Sequence, residues 1–391
     1  MRKVVLFSAL LIAGLIASQL LLPPSSGHGA GVHTAVRLLT TLCLGFIMIH
    51  VGLEFEVDKS RLRELGWDYF VAATAAAFPW VFSTLYFVFA LHDRAEWGSL
   101  KMWEQMLLAG RFAAPTSAGI LFSMLAAAGL AGTWLFQKAR VLAIFDDLDT
   151  VLLMVPLQMM LIGLRWELGL VVLVMAALLW VGWRFLHQIK WPTTWPFVLG
   201  YALALVALTE GLYVWTGWLP GVMAIHVEIL LPAFVLGCVL VQPHGAHSHD
   251  KEEGKEIAPP DASEQRASTI VSSVFMVLVG LSMPPIAGSL GGMSWGTLAL
   301  HVLVVTLLGN LGKMFPVFCY RKDATLRERL ALAIGMWPRG EVGAGVLVVS
   351  LGYGIAGAPI AVATLCLALN LVLTGAFIAW VKVLLAAPKA A

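Results

Sequence analysis

Charge is scarce in this 391-residue chain: Asp, Glu, Lys and Arg make up 12% of it, against about 25% in ordinary soluble domains. Apolar residues fill the deficit, at 60% of the total, and the mean hydropathy is +0.87. A chain this apolar cannot hide its hydrophobic surface from water, so its solvent is a lipid bilayer. Soluble enzymes, disordered proteins and secreted disulfide scaffolds are excluded. A net charge of +2, without a basic cluster interleaved with aromatics, offers nucleic acid no surface. Cysteine is scarce too. Cys43, Cys238, Cys319 and Cys366 lie in apolar runs with no CxxC and no metal-ligand spacing, and read as packing residues. There is no HExxH, no GxSxG and no phosphate-binding loop. No cofactor, resident metal or ATP use is therefore expected. Short strands of alternating polarity are also missing, which excludes a membrane barrel.

What is present is a succession of apolar runs long enough to span a bilayer. Twelve qualify or nearly so: residues 4–22, 38–55, 69–91, 106–130, 141–161, 168–185, 197–215, 222–241, 270–283, 298–320, 330–353 and 359–385. The fold class is therefore all-α, a polytopic membrane bundle filling residues 1–390 as one transporter domain. The ninth run is short and is expected to begin earlier. The first, with Arg2 and Lys3 before it and Pro23-Pro24-Ser25-Ser26 after it, also resembles a signal peptide. Its length of 19 residues favours a retained helix.

Basic residues test the count, because cytoplasmic ends collect Lys and Arg. With the N-terminus inside, 18 of the 25 fall at inside ends and 4 at outside ends, namely Arg37, Arg94, Lys101 and Arg165. The remaining three, Arg111, Lys313 and Arg339, lie within runs. The expectation is twelve spans in a cell (inner) membrane, with both termini cytoplasmic. The one long polar stretch, residues 242–266, holds His244, His247, His249, Asp250, Glu252, Glu253 and Glu256. It reads as a cytoplasmic loop rather than a metal site, since nothing around it fixes a coordination geometry.

The two halves echo each other seven spans apart. Val51-Gly52-Leu53 ends the second run and Val279-Gly280-Leu281 the ninth. The fourth is interrupted at Gly110-Arg111-Phe112-Ala113-Ala114-Pro115-Thr116-Ser117, and the eleventh at Gly335-Met336-Trp337-Pro338-Arg339-Gly340-Glu341. An odd offset inverts one repeat relative to the other, as in transporters whose two broken helices cross at the midplane. Each proline removes a backbone donor. The exposed helix ends need compensating charge, which Arg111, Arg339 and Glu341 are placed to supply.

Ionisable groups at membrane depth are costly and mark function. The densest set is Asp146-Asp147-Leu148-Asp149 in the fifth run. Three carboxylates this close cannot all stay ionised in a low dielectric. Such a group can carry a proton or a cation but holds both poorly at once, which is the chemistry of exchange. Counted from Val141, Asp147 is expected about 10 Å from the inner end of its span. Lys313, deep in the tenth run, needs a carboxylate partner, and Asp146 is the natural candidate. Asp149, three residues on from Asp146, is an additional candidate site residue, turned toward another side of the helix. Glu210, His226 and Glu228 read as interface groups with local pairing. Glu54 and Glu56 either draw cations toward a funnel or are simply solvated.

Taken together, Asp146-Asp147, Gly312-Lys313, Pro338-Arg339-Gly340-Glu341, Gly52-Leu53-Glu54 and Gly280-Leu281-Ser282 resemble the monovalent cation:proton antiporters. The branch is that of bacterial sodium/proton antiporters with a paired-aspartate motif. The resemblance runs from the second span to the twelfth. It implies that Asp147 binds the transported cation or protons, and that Asp146 pairs with Lys313 until cation binds. It also implies that Thr116 and Ser117 lie at the first helix crossover, close to the aspartates. The implied fold is a mobile core, here spans 3–5 and 10–12, moving against a dimerisation part made mainly of the remaining helices, in a homodimer. Arg111 and Asp149 depart from the family's pattern. The function so implied is secondary antiport of a monovalent cation, sodium first, against protons by alternating access. Potassium/proton exchange and sodium-coupled uptake of an organic solute are the alternatives on the same fold. An intramembrane aspartyl protease is remote, because it would bring its aspartates from different helices.

Overall fold

The computed structural model describes residues 2–21, 29–53, 62–118, 120–121, 125, 128–130, 132–162, 166–218, 229–241, 262–282 and 293–386. Among them are thirteen α-helices and no strand beyond an isolated bridge between Ile189 and Leu240. In chain order they are α1 Arg2–Leu21, α2 Gly29–Leu53, α3 Leu62–Leu91, α4 Leu100–Gly110, α5 Trp134–Ile162, α6 Trp166–Arg184, α7 Trp195–Gly217, α8 Leu230–Val239, α9 Ala262–Leu281, α10 Trp295–Gly312, α11 Leu326–Gly335, α12 Glu341–Gly352 and α13 Ala358–Ala386. Each of the twelve apolar runs contains helix. The fourth holds α4 and further helical residues beyond its break, the eleventh holds α11 and α12, and each of the others holds one helix.

Helices rather than other structures form because a bilayer core offers no water to satisfy backbone N–H and C=O groups. Their starts are fixed by local chemistry. Ser99 and Ser294 accept backbone N–H groups at the starts of α4 and α10. Thr325 and Glu328 form a reciprocal capping box on α11. Five of the described helices are long and apolar enough to cross a membrane, within α2, α3, α7, α13 and the α10 segment extended to Phe318. The 29-residue α5 is long enough as well, but carries Lys138, Arg140 and three aspartates.

Several helices start before the hydropathy limits. As expected α9 starts early, at Ala262, so residues 262–266 are helical and not loop. α5 starts at Trp134. Hydropathy marks where the bilayer begins, whereas backbone hydrogen bonding continues into polar residues. Asp147 therefore lies thirteen residues into α5, about 20 Å from the helix start, of which about 10 Å lies beyond Val141. Residues 242–261 of the polar stretch, and Glu54, Glu56, His226 and Glu228, lie outside the described residues.

The chain divides into two compact units. The larger comprises residues 1–30, 58–163 and 276–391. It holds α1, α3–α5 and α10–α13, so the first helix joins the third-to-fifth and tenth-to-twelfth spans. Within it α10 packs along α3, and α11 and α1 pack against α13. The smaller, residues 31–57 and 164–275, holds most of α2, then α6–α8 and most of α9. There Arg37 of α2 donates both Nη groups to the Glu210 carboxylate of α7, at 2.8 and 2.9 Å.

The repeated Val-Gly-Leu serves close packing in both halves. A methyl group on Gly280 would fall 2.5 Å from the Leu11 carbonyl oxygen of α1. One on Gly52 would fall 2.2 Å from the Phe234 carbonyl oxygen of α8. The first and eighth spans are themselves seven apart, so the contact of span nine with span one repeats as that of span two with span eight.

Candidate ion-binding site

The site is built where the two helix breaks meet α5 and the end of α10. The first break begins as α4 ends at Gly110. Residues 111–113 form one 3-10 turn, residues 114–117 are not helical, and Ala118 is helical again. The second leaves residues 336–340 outside any helix, between α11 and α12. The breaks are joined directly. Ser117 N donates to Pro338 O at 2.8 Å, and the Thr116 hydroxyl lies 3.0 Å from Met336 O. Backbone groups released by the breaks thus find partners in each other, as burial requires.

Asp146 and Asp147 are wholly buried on α5 at this junction. One carboxylate oxygen of Asp146, Oδ2, accepts from Thr116 N at 2.9 Å, from Thr116 Oγ1 at 2.7 Å and from Lys313 Nζ at 2.5 Å. Lys313 is itself 0% exposed. It caps the C-terminal end of α10, where the helix dipole favours a cation. Asp147 lies within the electrostatic reach of the same ammonium group. The structure thus brings together Asp146, Lys313 and Thr116, with Ser117 alongside.

Arg339 does not compensate the end of its own broken helix alone. Its Nε donates to Ala113 O of the first break at 2.8 Å, and its Nη1 to Asn310 Oδ1 of α10 at 2.7 Å. With its amide turned to suit both neighbours, Asn370 of α13 accepts from the same Nη1 at 2.9 Å and donates to Trp337 O at 2.9 Å. The buried guanidinium therefore ties the second break to the first and to two further helices. Glu341 supplies the first residue of α12; its side chain lies outside the described residues.

Arg111 and Asp149 find each other. Arg111 Nη2 donates to Asp149 Oδ2 at 2.8 Å and to Asp149 O at 2.7 Å. The guanidinium is fully buried and its centre stands 4.6 Å from the Trp80 ring centroid. Trp80 is in turn fixed by donating its Nε1 to Leu107 O at 2.7 Å.

Several residues here were not singled out by sequence reasoning. Asn370 carried a usable signal, a lone amide in the apolar run of α13. Trp80 carried none, since aromatics are common in such helices. Near the starts of α3 and α5, Lys138 Nζ donates to both oxygens of Asp68 at 2.8 and 2.7 Å, and the OH of Tyr320, which follows the 3-10 turn Phe315–Phe318 after α10, donates to Asp68 Oδ1 at 2.7 Å.

A family model described as sodium/hydrogen exchanger, transmembrane, matches residues 2–384. Among solved structures, the sodium proton antiporter MjNhaP1 from Methanocaldococcus jannaschii, at pH 8, is similar over 95% of this chain and 92% of its own. The TM-score is 0.61 and the identity 16%, so this likeness speaks to the fold. No curated protein matches the chain.

Proposed function

From the premise that this chain belongs to the sodium/hydrogen exchanger family, we propose that sodium is the cation it exchanges and that Asp147 is where cation and proton alternate. Membership makes the chain a multi-pass membrane transporter, not an enzyme, that exchanges a cation for protons. The observation that carries the finer reading is the Lys313–Asp146 ion pair, buried beside Asp147 where the two breaks cross. A cation arriving at Asp147 repels the Lys313 ammonium and competes for the carboxylates. Charge balance is regained when a proton leaves. Thr116 holds Asp146 in place from the first break. Ser117 and the opened backbone around it supply neutral oxygen ligands of the kind sodium prefers.

In this reading the larger unit carries the ion and alternates access, and the smaller unit supplies the contact of a homodimer. Only 17% of the apolar window of α7 is buried within its own chain, which supports placing that contact there. The placement in an inner membrane with both termini cytoplasmic rests on the excess of basic residues at inside ends.

The test is proton flux in proteoliposomes holding the full chain, with sodium, lithium and potassium added in turn. Sodium is expected to release the internal proton gradient at the lowest concentration. A response to potassium alone would move the assignment to potassium/proton exchange. A sodium response that requires an added organic solute would move it to coupled uptake.

A further inference from the structure

α5 is fastened to the first break at two points. One is Asp146, held by Thr116 N and Oγ1. The other is Asp149, one turn further along, held by Arg111 through both its carboxylate and its backbone carbonyl. Asp147 lies between the two in sequence. The fastenings differ in one chemical respect. Asp146 also pairs with Lys313, a lysine, which can release its proton when buried. Asp149 pairs with an arginine, which in proteins does not. Arg111 is also held at its two ends. Its guanidinium centre lies 4.6 Å from the Trp80 ring centroid, and its backbone follows Gly110, where a methyl group would fall 2.4 Å from the Thr84 hydroxyl of α3. The arginine keeps its charge throughout a cycle of protonation and cation binding, and its bond to the Asp149 backbone carbonyl involves no titrating group at all.

We propose that Arg111 and Asp149 are positioning residues, a permanent clamp that keeps the first break and α5 one rigid body while the Lys313–Asp146 pair opens and closes. The clamp makes no contact with the transported ion. It holds Asp147 at a fixed distance from the oxygens of residues 113–117, so cation affinity depends on it even where folding does not. The inference rests on the reading of Asp147 as the ion site.

The deciding variant is R111M/D149L, which removes both charges together. Replacing a whole buried pair by apolar residues commonly preserves stability. Its melting temperature in detergent is therefore expected to stay near the wild type's. Its apparent KM for sodium in proteoliposomes is expected to rise about tenfold, with a much smaller change in maximal rate. R111K keeps the charge but not the two-acceptor grip or the stacking, and is expected to raise KM in the same direction. If the double variant does not fold, R111K decides. Wild-type KM in a folded double variant, or in R111K where only that variant folds, overturns the clamp, because a pair that merely supports the fold would leave affinity intact. If wild-type protein moves no sodium, the proposed function fails by itself. The clamp is then read by amide hydrogen exchange over residues 112–118, expected to be at least fivefold faster in the double variant. Unchanged exchange overturns it.

Discussion

Gly312 lies against the backbone of Pro79: a methyl group at position 312 would sit 2.6 Å from the proline nitrogen and 2.8 Å from its Cδ. The proline within α3 and the last residue of α10 are thus packed without a side chain between them. The next residue, Lys313, reaches Asp146 from this contact. The contact therefore sets the site's geometry from a position that touches no ion.

Gly312→Ala should push α10 away from α3. Overpacking of this kind costs about 1–3 kcal/mol, and Lys313 would be displaced from Asp146 as well. Gly296→Ala on the same helix is the control, since the only atom a methyl group there would approach is Ser294 Oγ of the helix's own cap, 3.8 Å away. Thermal unfolding in detergent should separate the two. Equal melting temperatures would show that the Gly312 contact is not tight.

Lys313 and Asp146 are both wholly buried and 2.5 Å apart. Removing one partner strands the other charge, at a cost of about 3–5 kcal/mol. Lys313→Met and Asp146→Leu should each lower the melting temperature strongly, and the double variant should recover a large part of the loss. A double-mutant cycle with no coupling would mean that the pair contributes nothing to stability.

The order of spans was legible from hydropathy, and the breaks from Pro115 and Pro338 within otherwise apolar runs. The Asp146–Lys313 contact was legible because each charge is costly alone and each needed the other. The pairing of Arg111 with Asp149 was not. The fifth run alone holds three carboxylates, against the three bases Arg111, Lys313 and Arg339, and the sequence carries no rule for matching them; that depends on how the breaks cross α5. For the same reason Arg339 was legible as compensation for an exposed helix end, but not which end; it caps Ala113 on the opposite break. Helix starts were set too late at α5, because Lys138 and Arg140 are polar yet helical.

Asp147→Asn should abolish cation-dependent proton flux while leaving the protein folded and inserted. The amide is nearly isosteric with the carboxylate but cannot cycle between protonated and anionic forms. Flux in everted vesicles, beside the melting temperature of the purified variant, makes the comparison. Exchange at the wild-type rate would remove Asp147 from the ion site.

Competition between proton and cation has a sign that can be worked out. A carboxylate that holds a proton has no charge to offer sodium, so protonation must weaken cation binding. The apparent KM for sodium should therefore rise as pH falls, by up to about tenfold per pH unit for each proton displaced. It should level off at high pH, where the carboxylate is ionised before sodium arrives. Thr116 refines the expectation. Its hydroxyl and backbone N–H both hold Asp146 Oδ2, and Thr116→Val removes the hydroxyl while keeping the shape. The ammonium of Lys313 then loses a competitor for that oxygen and grips it harder, so the cation must work against a firmer pair. Thr116→Val should raise the sodium KM at every pH without changing the slope, since it removes no titrating group. Initial rates in proteoliposomes from pH 6 to pH 9, wild type beside variant, measure both. A sodium KM that stays flat across this range, with only the maximal rate changing, would show that proton and cation do not share a site, and the alternation at Asp147 would have to be given up.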